Sequence, residues 1–344
     1  MKKIIMAAAV AVSSAVLFAY NPPMGGEEFF RLANPEMLSG ASSSAAGGPS
    51  FNVIPASITY NPALPANSEI ITFDLSGTLM INCDKKDGDK STGSAFETGV
   101  IIPTKFAAFT ATTSGVFSEM IGMPVGKIWD VHAGASKDIL DWLSVGANFY
   151  YRSYRGFDMD SSYAIGADVG ALARVGDFGF LKDVRLGAAV LNMGKPADFK
   201  TGGIDKKEEC SKYPTIFTPR AGVAAQLFEA GDWIGSFSAD VCMPTYVKNF
   251  ITDLAFEVSY AEKLKINLGW QYNLRECVEG GSDGISSCSV GVSYKFGTKI
   301  GSKESSITPA MATQYLYSGI LALSGGARVD LGQKDTSGAE IEMW

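Results

Sequence analysis

From Ile70 onward the apolar residues of this chain recur at every second position. Each run keeps one parity for about 9 to 11 residues, the length of a membrane-crossing strand. Across 264–275 the even positions are Leu264, Ile266, Leu268, Trp270, Tyr272 and Leu274, and the odd ones are Lys265, Asn267, Gly269, Gln271, Asn273 and Arg275. Ile71, Phe73, Leu75 and Leu79 oppose Thr72, Asp74, Ser76 and Thr78, and Leu143, Val145, Ala147, Phe149 and Tyr151 oppose Ser144, Gly146, Asn148 and Arg152. The pattern predicts strands over 69–82, 94–102, 105–118, 127–136, 142–155, 162–175, 183–193, 216–229, 232–243, 250–260, 263–275, 285–297 and 307–324, with a last one at the C-terminus ending in Met343-Trp344. The total is about fourteen, an even number as barrels of this kind have.

A soluble β-sandwich also alternates, but its outward face is rich in Lys and Glu. Here the polar parity holds glycine, alanine, serine and isolated charges, and Tyr150, Tyr151, Trp233, Trp270, Tyr272, Tyr294 and Phe296 gather near strand ends as interfacial girdles do. The predicted fold is therefore all-β: a transmembrane antiparallel β-barrel with a polar interior, an inversion that only lipid makes stable. Short turns at 137–141, 229–232 and 261–263 alternate with longer polar loops at 194–214 and 276–284, which places the short turns on the periplasmic side.

The stretch 50–67 breaks the pattern. Pro55, Pro62 and Pro65 keep it out of helix interiors and central strands, while Phe51, Val53, Ile54, Ile58, Tyr60 and Leu64 are too apolar for a solvated linker. We expect it to pack inside the barrel, with 20–68 forming a plug and 69–344 the barrel. Within the plug, a short helix is expected over 27–33, stopped by Asn34-Pro35, and the Ser/Ala/Gly run 39–48 reads as plug or as flexible linker. Residues 1–19 read as a signal peptide: Met1-Lys2-Lys3 precedes an apolar run over 4–18 that is short of the ~20 residues a spanning helix needs.

Composition agrees with this class. Of 344 residues, 46% are hydrophobic and only 19% charged, with 38 glycines and 20 phenylalanines, as a strand-dominated chain requires. A net charge of −7 without a basic stripe excludes a nucleic-acid partner.

Inward-facing Arg152, Arg185, Arg220, Lys265 and Arg275, with Arg174, can hold a ligand carboxylate, or pair with Asp74, Asp168, Asp240, Asp253 and Glu257 and anchor the plug. For any single residue the anchoring role is the expectation. His132 is the sole histidine and no nucleophile motif surrounds it, so no catalytic residue and no enzymatic activity are expected. Asp158 and Asp160 lack the glycine and distal glutamate of a calcium loop, and the cysteines lack zinc spacing, so no metal and no cofactor are expected. Of the cysteines Cys83, Cys210, Cys242, Cys277 and Cys288, the last two flank one loop and can close a hairpin by a disulfide.

The run Pro55-Ala56-Ser57-Ile58-Thr59-Tyr60-Asn61-Pro62-Ala63, after a Ser/Ala/Gly-rich segment and before a barrel, resembles the N-terminal plug of the long-chain fatty acid outer-membrane transporter family. Gly99-Val100-Ile101-Ile102-Pro103 and the strand from Phe106 to Phe117 resemble that family's second and third strands, and the whole chain looks like its spirochaetal paralogues. The resemblance implies a fourteen-stranded outer-membrane barrel with a hatch gated around Tyr60, Asn61, Pro62 and Ala63, through which hydrophobic molecules such as fatty acids diffuse, leaving sideways into the membrane in known members. Expected partners are those molecules, outer-membrane lipids and the barrel assembly machinery, and the expected state is a monomer. The competing functions are a structural or secretion-partner barrel and a general porin. A porin lacks a proline-rich plug, so 50–67 counts against it.

Overall fold

The computed structural model describes residues 29–83, 91–120, 123–155, 161–202, 208–244, 249–274, 288–300, 303–316 and 319–332. The expectations for 1–19, Asp158 and Asp160, Arg275, Cys277 and Met343-Trp344 fall outside them.

The wall begins with β1 (Ile71–Asn82), β2 (Thr92–Pro103), β3 (Ala108–Met120), β4 (Met123–Leu140), β5 (Leu143–Arg155), β6 (Ser162–Phe178) and β7 (Leu181–Lys195). The chain then forms a separate hairpin, β8 (Ala197–Gly202) and β9 (Glu208–Tyr213). It returns to the wall as β10 (Thr218–Ala230), β11 (Trp233–Cys242), β12 (Ile251–Tyr260), β13 (Leu264–Asn273), β14 (Ser289–Tyr294), β15 (Phe296–Ile300), β16 (Lys303–Leu316) and β17 (Ile320–Leu331). All pairings are antiparallel between sequence neighbours, apart from β7 with β10 across the hairpin, β14 with β16, and β17 with β1. β14 and β15 occupy one wall position interrupted at Lys295, and β1 zips to β17 from Ile71↔Leu331 to Asn82↔Ile320. The result is a closed fourteen-stranded antiparallel barrel.

Closure satisfies the strand edges, which a membrane requires because lipid offers no hydrogen bonds. The alternation sorts side chains as the sequence indicated. Along β1, Phe73, Leu75 and Leu79 face outward while Asp74, Ser76 and Thr78 are buried inside. Phe149 is 74% exposed and Met311 67%, normal only where lipid covers the wall. Trp142, Phe178, Phe180 and the Trp233–Tyr260 pair (ring centroids 4.8 Å apart) crowd the short-turn rim, as a girdle does. A closed barrel with a polar interior and an apolar, aromatic-rimmed exterior belongs in the outer membrane.

Five expectations are corrected. The predicted strand 307–324 is two strands, β16 and β17, because apolar alternation continues across the turn; Gly319, at φ 70, supplies the left-handed residue there. β17, and not a strand ending at Trp344, closes onto β1. Tyr150 is no girdle residue: it shares the parity of Asn148 and Arg152 and is buried inside. The loop predicted at 194–214 starts after Lys195 and carries β8 and β9, and β4 runs through Leu140, past the turn expected at 137.

Inside the wall lies the N-terminal stretch. It folds as 3₁₀ turns at Phe29–Ala33, Pro55–Thr59 and Leu64–Asn67 and one short α-helix, Pro35–Leu38. Asn34-Pro35 starts this helix as well as ending the turn before it. Asn34 is extended (φ −132, ψ 133), its side-chain oxygen accepts from Glu36 N at 2.9 Å, and Pro35 occupies the first helical position, where its missing donor costs nothing. Residues 31–49 are all buried, including the 39–48 run. Inward-facing glycines make room for this backbone. A Cβ on Gly146 would sit 2.1 Å from Pro62 O, and one on Gly187 would sit 1.9 Å from Ala45 O.

Candidate functional site

The packed N-terminal stretch leaves a cavity of about 90 Å³ beneath the β8–β9 hairpin. Its walls are Phe30, Met37 and Tyr60 from the N-terminal stretch, Asp130, His132, Arg152 and Asp168 from β4, β5 and β6, and Tyr213 from β9. Strand periodicity and register assemble the polar side. Asp130 and His132 lie two residues apart on one face of β4, and Arg152 stands directly opposite Asp130 on β5. Arg152 grips Asp130 with two parallel bonds, Nε to Oδ1 at 2.9 Å and Nη2 to Oδ2 at 3.0 Å. His132 Nε2 lies 2.9 Å from Asp130 Oδ2, and its Nδ1 3.7 Å from Asp168 Oδ2. Asp168 in turn accepts the Asn192 backbone N–H at 2.6 Å.

Arg152 also presents its face to rings from two different closures. Its guanidinium carbon lies 4.6 Å from the Phe30 centroid and 5.6 Å from that of Tyr213, which meets Tyr154 edge-on at 5.7 Å. On the far side, Arg220 Nη2 bonds Asp253 Oδ2 at 2.8 Å and stacks 3.8 Å from the Tyr60 centroid.

The described basic residues of the sequence reading all face inward and hold protein groups. Arg185 donates to the Pro49 carbonyl at 2.6 Å and to those of Ala46 and Gly48, lies 3.2 Å from Asp183, and is 1% exposed. Lys265 Nζ donates to Ser50 Oγ at 2.7 Å and lies 3.4 Å from Glu257. Arg152 and Arg220 are paired as above, and of this set these two line the cavity, together with Arg31 of the N-terminal stretch. Arg174 pairs with Asp138 at 2.8 Å near the short-turn rim, away from the others. At each described position the basic group is bonded to protein: Arg185, Arg220 and Lys265 reach the N-terminal stretch, and Arg152 and Arg174 hold carboxylates of the wall.

The Tyr60–Ala63 group sits at the heart of the packed stretch. Asn61 is fully buried and spans three partners: its amide donates to Ala45 O at 2.7 Å and to Ala171 O of β6 at 2.9 Å, and its oxygen accepts Ala63 N at 3.0 Å. Pro62 backbone rests on Gly146 of β5, and Tyr60 lies on Arg220. Cys288 is exposed just before β14.

Sequence reading missed several contributors. Arg31 bonds Gln314 at 2.7 Å and approaches Asp253 to 3.5 Å, Asn34 bonds Glu97 at 2.6 Å, and Arg328 holds Asn52 at 2.7 Å with Glu36 3.7 Å away. The Asp130-x-His132 spacing was visible, but only the register that sets Arg152 opposite Asp130 gives it meaning.

No protein-family model matches the chain, and no curated protein matches it. Among solved structures it is similar to the Ralstonia pickettii toluene transporter TbuX, at TM-score 0.51 and 14% identity over 87% of this chain and 97% of that one. It is similar to the same degree to a deltaS2 mutant of the TodX monoaromatic hydrocarbon channel, at TM-score 0.51 and 11% identity, covering 88% and 98%. A Pseudomonas aeruginosa FadL homologue follows at TM-score 0.47 and 11% identity over 91% and 98%. Nothing among these likenesses singles out spirochaetal paralogues. At such identities the likeness is one of fold, and the chain shares the fold of TbuX and TodX over 87% and 88% of its length.

Proposed function

We propose that this chain is an outer-membrane conduit through which hydrophobic small molecules diffuse unchanged, with 20–68 as its plug. One observation carries the reading: the lumen holds an apolar-rich segment fixed at many polar points, and the cavity that this segment lines is only about 90 Å³, apart from a more open recess of about 630 Å³ beside Ile70, Ser306 and Asp330. Ligand pockets run to roughly 300–1,000 Å³, and an engineered cavity of about 150 Å³ takes benzene, so passage requires the plug to shift. A general porin needs an open aqueous lumen, which this filling opposes. The resemblance to fatty-acid transporters names long-chain fatty acids as cargo, and the titles of the solved neighbours name toluene and monoaromatic hydrocarbons. What these share is an apolar body that crosses without chemistry, and that class is the proposal.

The test is uptake of a labelled apolar solute by proteoliposomes whose outer leaflet carries lipopolysaccharide, with ion conductance recorded in parallel. Saturable uptake at low conductance is the expected result. Steady ohmic conductance with no solute uptake would sink the reading.

A further inference from the structure

The outer face of the wall carries a feature that does not depend on what crosses the lumen. Outward-facing basic residues gather on β4, β5 and β7 at the rim that carries the β8–β9 hairpin, the outer rim by the rule that short turns face the periplasm. Lys127 shares the parity of Trp129 on β4, Arg155 that of Tyr151 on β5, and Lys195 pairs with outward-facing Ile165; all three are exposed. Register sets Lys127 directly opposite Arg155. Like charges so placed destabilise the ladder that carries them. Among the described residues neither has a carboxylate partner, and Glu119, one pleat beyond Phe117 on β3, forms an ion pair with neither. Arg152, Arg174 and Lys182, by contrast, each hold an acidic group.

The depth of the pair follows from the rings beneath it. One and two pleats toward the bilayer, Trp129 meets Phe96 at 5.1 Å between ring centroids, Tyr151 stacks on Tyr163 at 6.1 Å, and Lys195 Nζ lies 4.2 Å from the Tyr163 centroid. Aromatic rings on the outer face of a barrel mark the level of the lipid headgroups. Lys127 and Arg155 therefore stand among headgroup phosphates and open sideways to lipid, where a soluble partner has no access. We propose that the two together bind the phosphate of an anionic outer-leaflet lipid. A phosphate lets the Arg155 fork take two oxygens side by side while Lys127 approaches as a point charge. One anion held by both converts their repulsion into a shared attraction, and its acyl chains lie along outward-facing Trp129, Val131 and Phe149.

Native mass spectrometry of the full delipidated chain in neutral detergent tests this with dioleoyl phosphatidic acid and dioleoyl phosphatidylcholine, alike in chains and phosphate but not in net charge. Phosphatidic acid is expected to bind about tenfold tighter than phosphatidylcholine, and Lys127→Gln with Arg155→Gln to bring the two lipids within about twofold of each other. Lys195→Gln, which removes the same charge from the same arc, should leave the preference nearly unchanged. Should the double variant lose heat-modifiable migration, Arg155→Gln alone is expected to weaken phosphatidic acid severalfold. A second readout separates binding from wall stability: Lys127→Gln relieves the repulsion, so it should raise the heat-modification midpoint in lipid-free detergent and reduce the further rise that phosphatidic acid gives. Equal binding of the two lipids to the natural chain would overturn the proposal. So would a preference that survives in the folded Lys127 and Arg155 variants or falls as far in Lys195→Gln, and so would a Lys127→Gln midpoint lowered in lipid-free detergent. Displacement of phosphatidic acid by millimolar inorganic phosphate would assign the pair to a soluble anion and remove the lipid.

Discussion

At the scale of single residues, the lumen is governed by groups that cannot be left unpaired. Asn61 ties two turns of the N-terminal stretch to β6 through three bonds, and an alanine there strands two carbonyls and an amide. Each buried group left unsatisfied costs about 1–3 kcal/mol. Asn61→Ala should therefore loosen 45–63 by about 3 kcal/mol or more. Hydrogen exchange is expected to accelerate there while the barrel's heat-modifiable migration stays unchanged. A second substitution acts from the wall. Gly187→Val sets a side chain where Ala45 O now lies 1.9 Å from the added Cβ, and the obstruction is rigid backbone. Expulsion of the segment is expected, read as raised conductance in planar bilayers. On the lipid side, Phe149→Arg should cost about 2–4 kcal/mol if its position is near the bilayer midplane, measured by denaturant unfolding in lipid vesicles.

At the scale of elements, the strands were legible and the lumen's wiring was not. Period-two alternation fixes which residues face lipid, so Phe73, Leu268 and Asp168 fell on the correct sides from sequence alone. It cannot locate a turn that apolar residues run through, and so β16 and β17 merged. Nor can it match Arg152 to Asp130 or Arg31 to Gln314, since those pairs depend on register and on contacts across hundreds of positions. The packing of 50–67 inside the wall was signalled by apolar residues among prolines; Asn34 as a helix cap escaped because Asn-Pro reads equally as a stop.

Two elements meet at Arg152, which touches Phe30 of the N-terminal stretch and Tyr213 of the β8–β9 hairpin. Arg152→Met leaves Asp130 unpaired apart from His132, a change worth about 3–5 kcal/mol for buried pairs. Exchange should rise in both 29–38 and 208–213; a rise in one alone would show the two closures to be independent. The disulfide expected between Cys277 and Cys288 is decided by peptide mass mapping with and without reductant: one bridged peptide supports it, and alkylation of both cysteines without reductant excludes it.

At the scale of the whole molecule, wall and filling are separable in principle. Every wall strand except β15, which pairs only with β16 among the described residues, has two wall neighbours, so the ladders do not need the N-terminal stretch to close. Deleting 29–67 should leave a heat-modifiable barrel that now conducts ions freely. The lining charges Asp74, Glu97, Asp130 and Arg220, buried today, would then face water.

The seam between β1 and β17 joins the first and last described strands, the most distant pairing in the chain, and such contacts form late because the connecting loop is long. The N-terminal stretch crosses this seam. Ser76 and Thr78 of β1 bond the carbonyls of Ala33 and Leu32, Arg328 of β17 bonds Asn52, and Arg31 reaches β16. One short stretch thereby touches both sides of the longest-range pairing among the described strands. The same few side chains therefore clamp the seam from inside, so loosening the stretch is felt at both ends of the sheet at once.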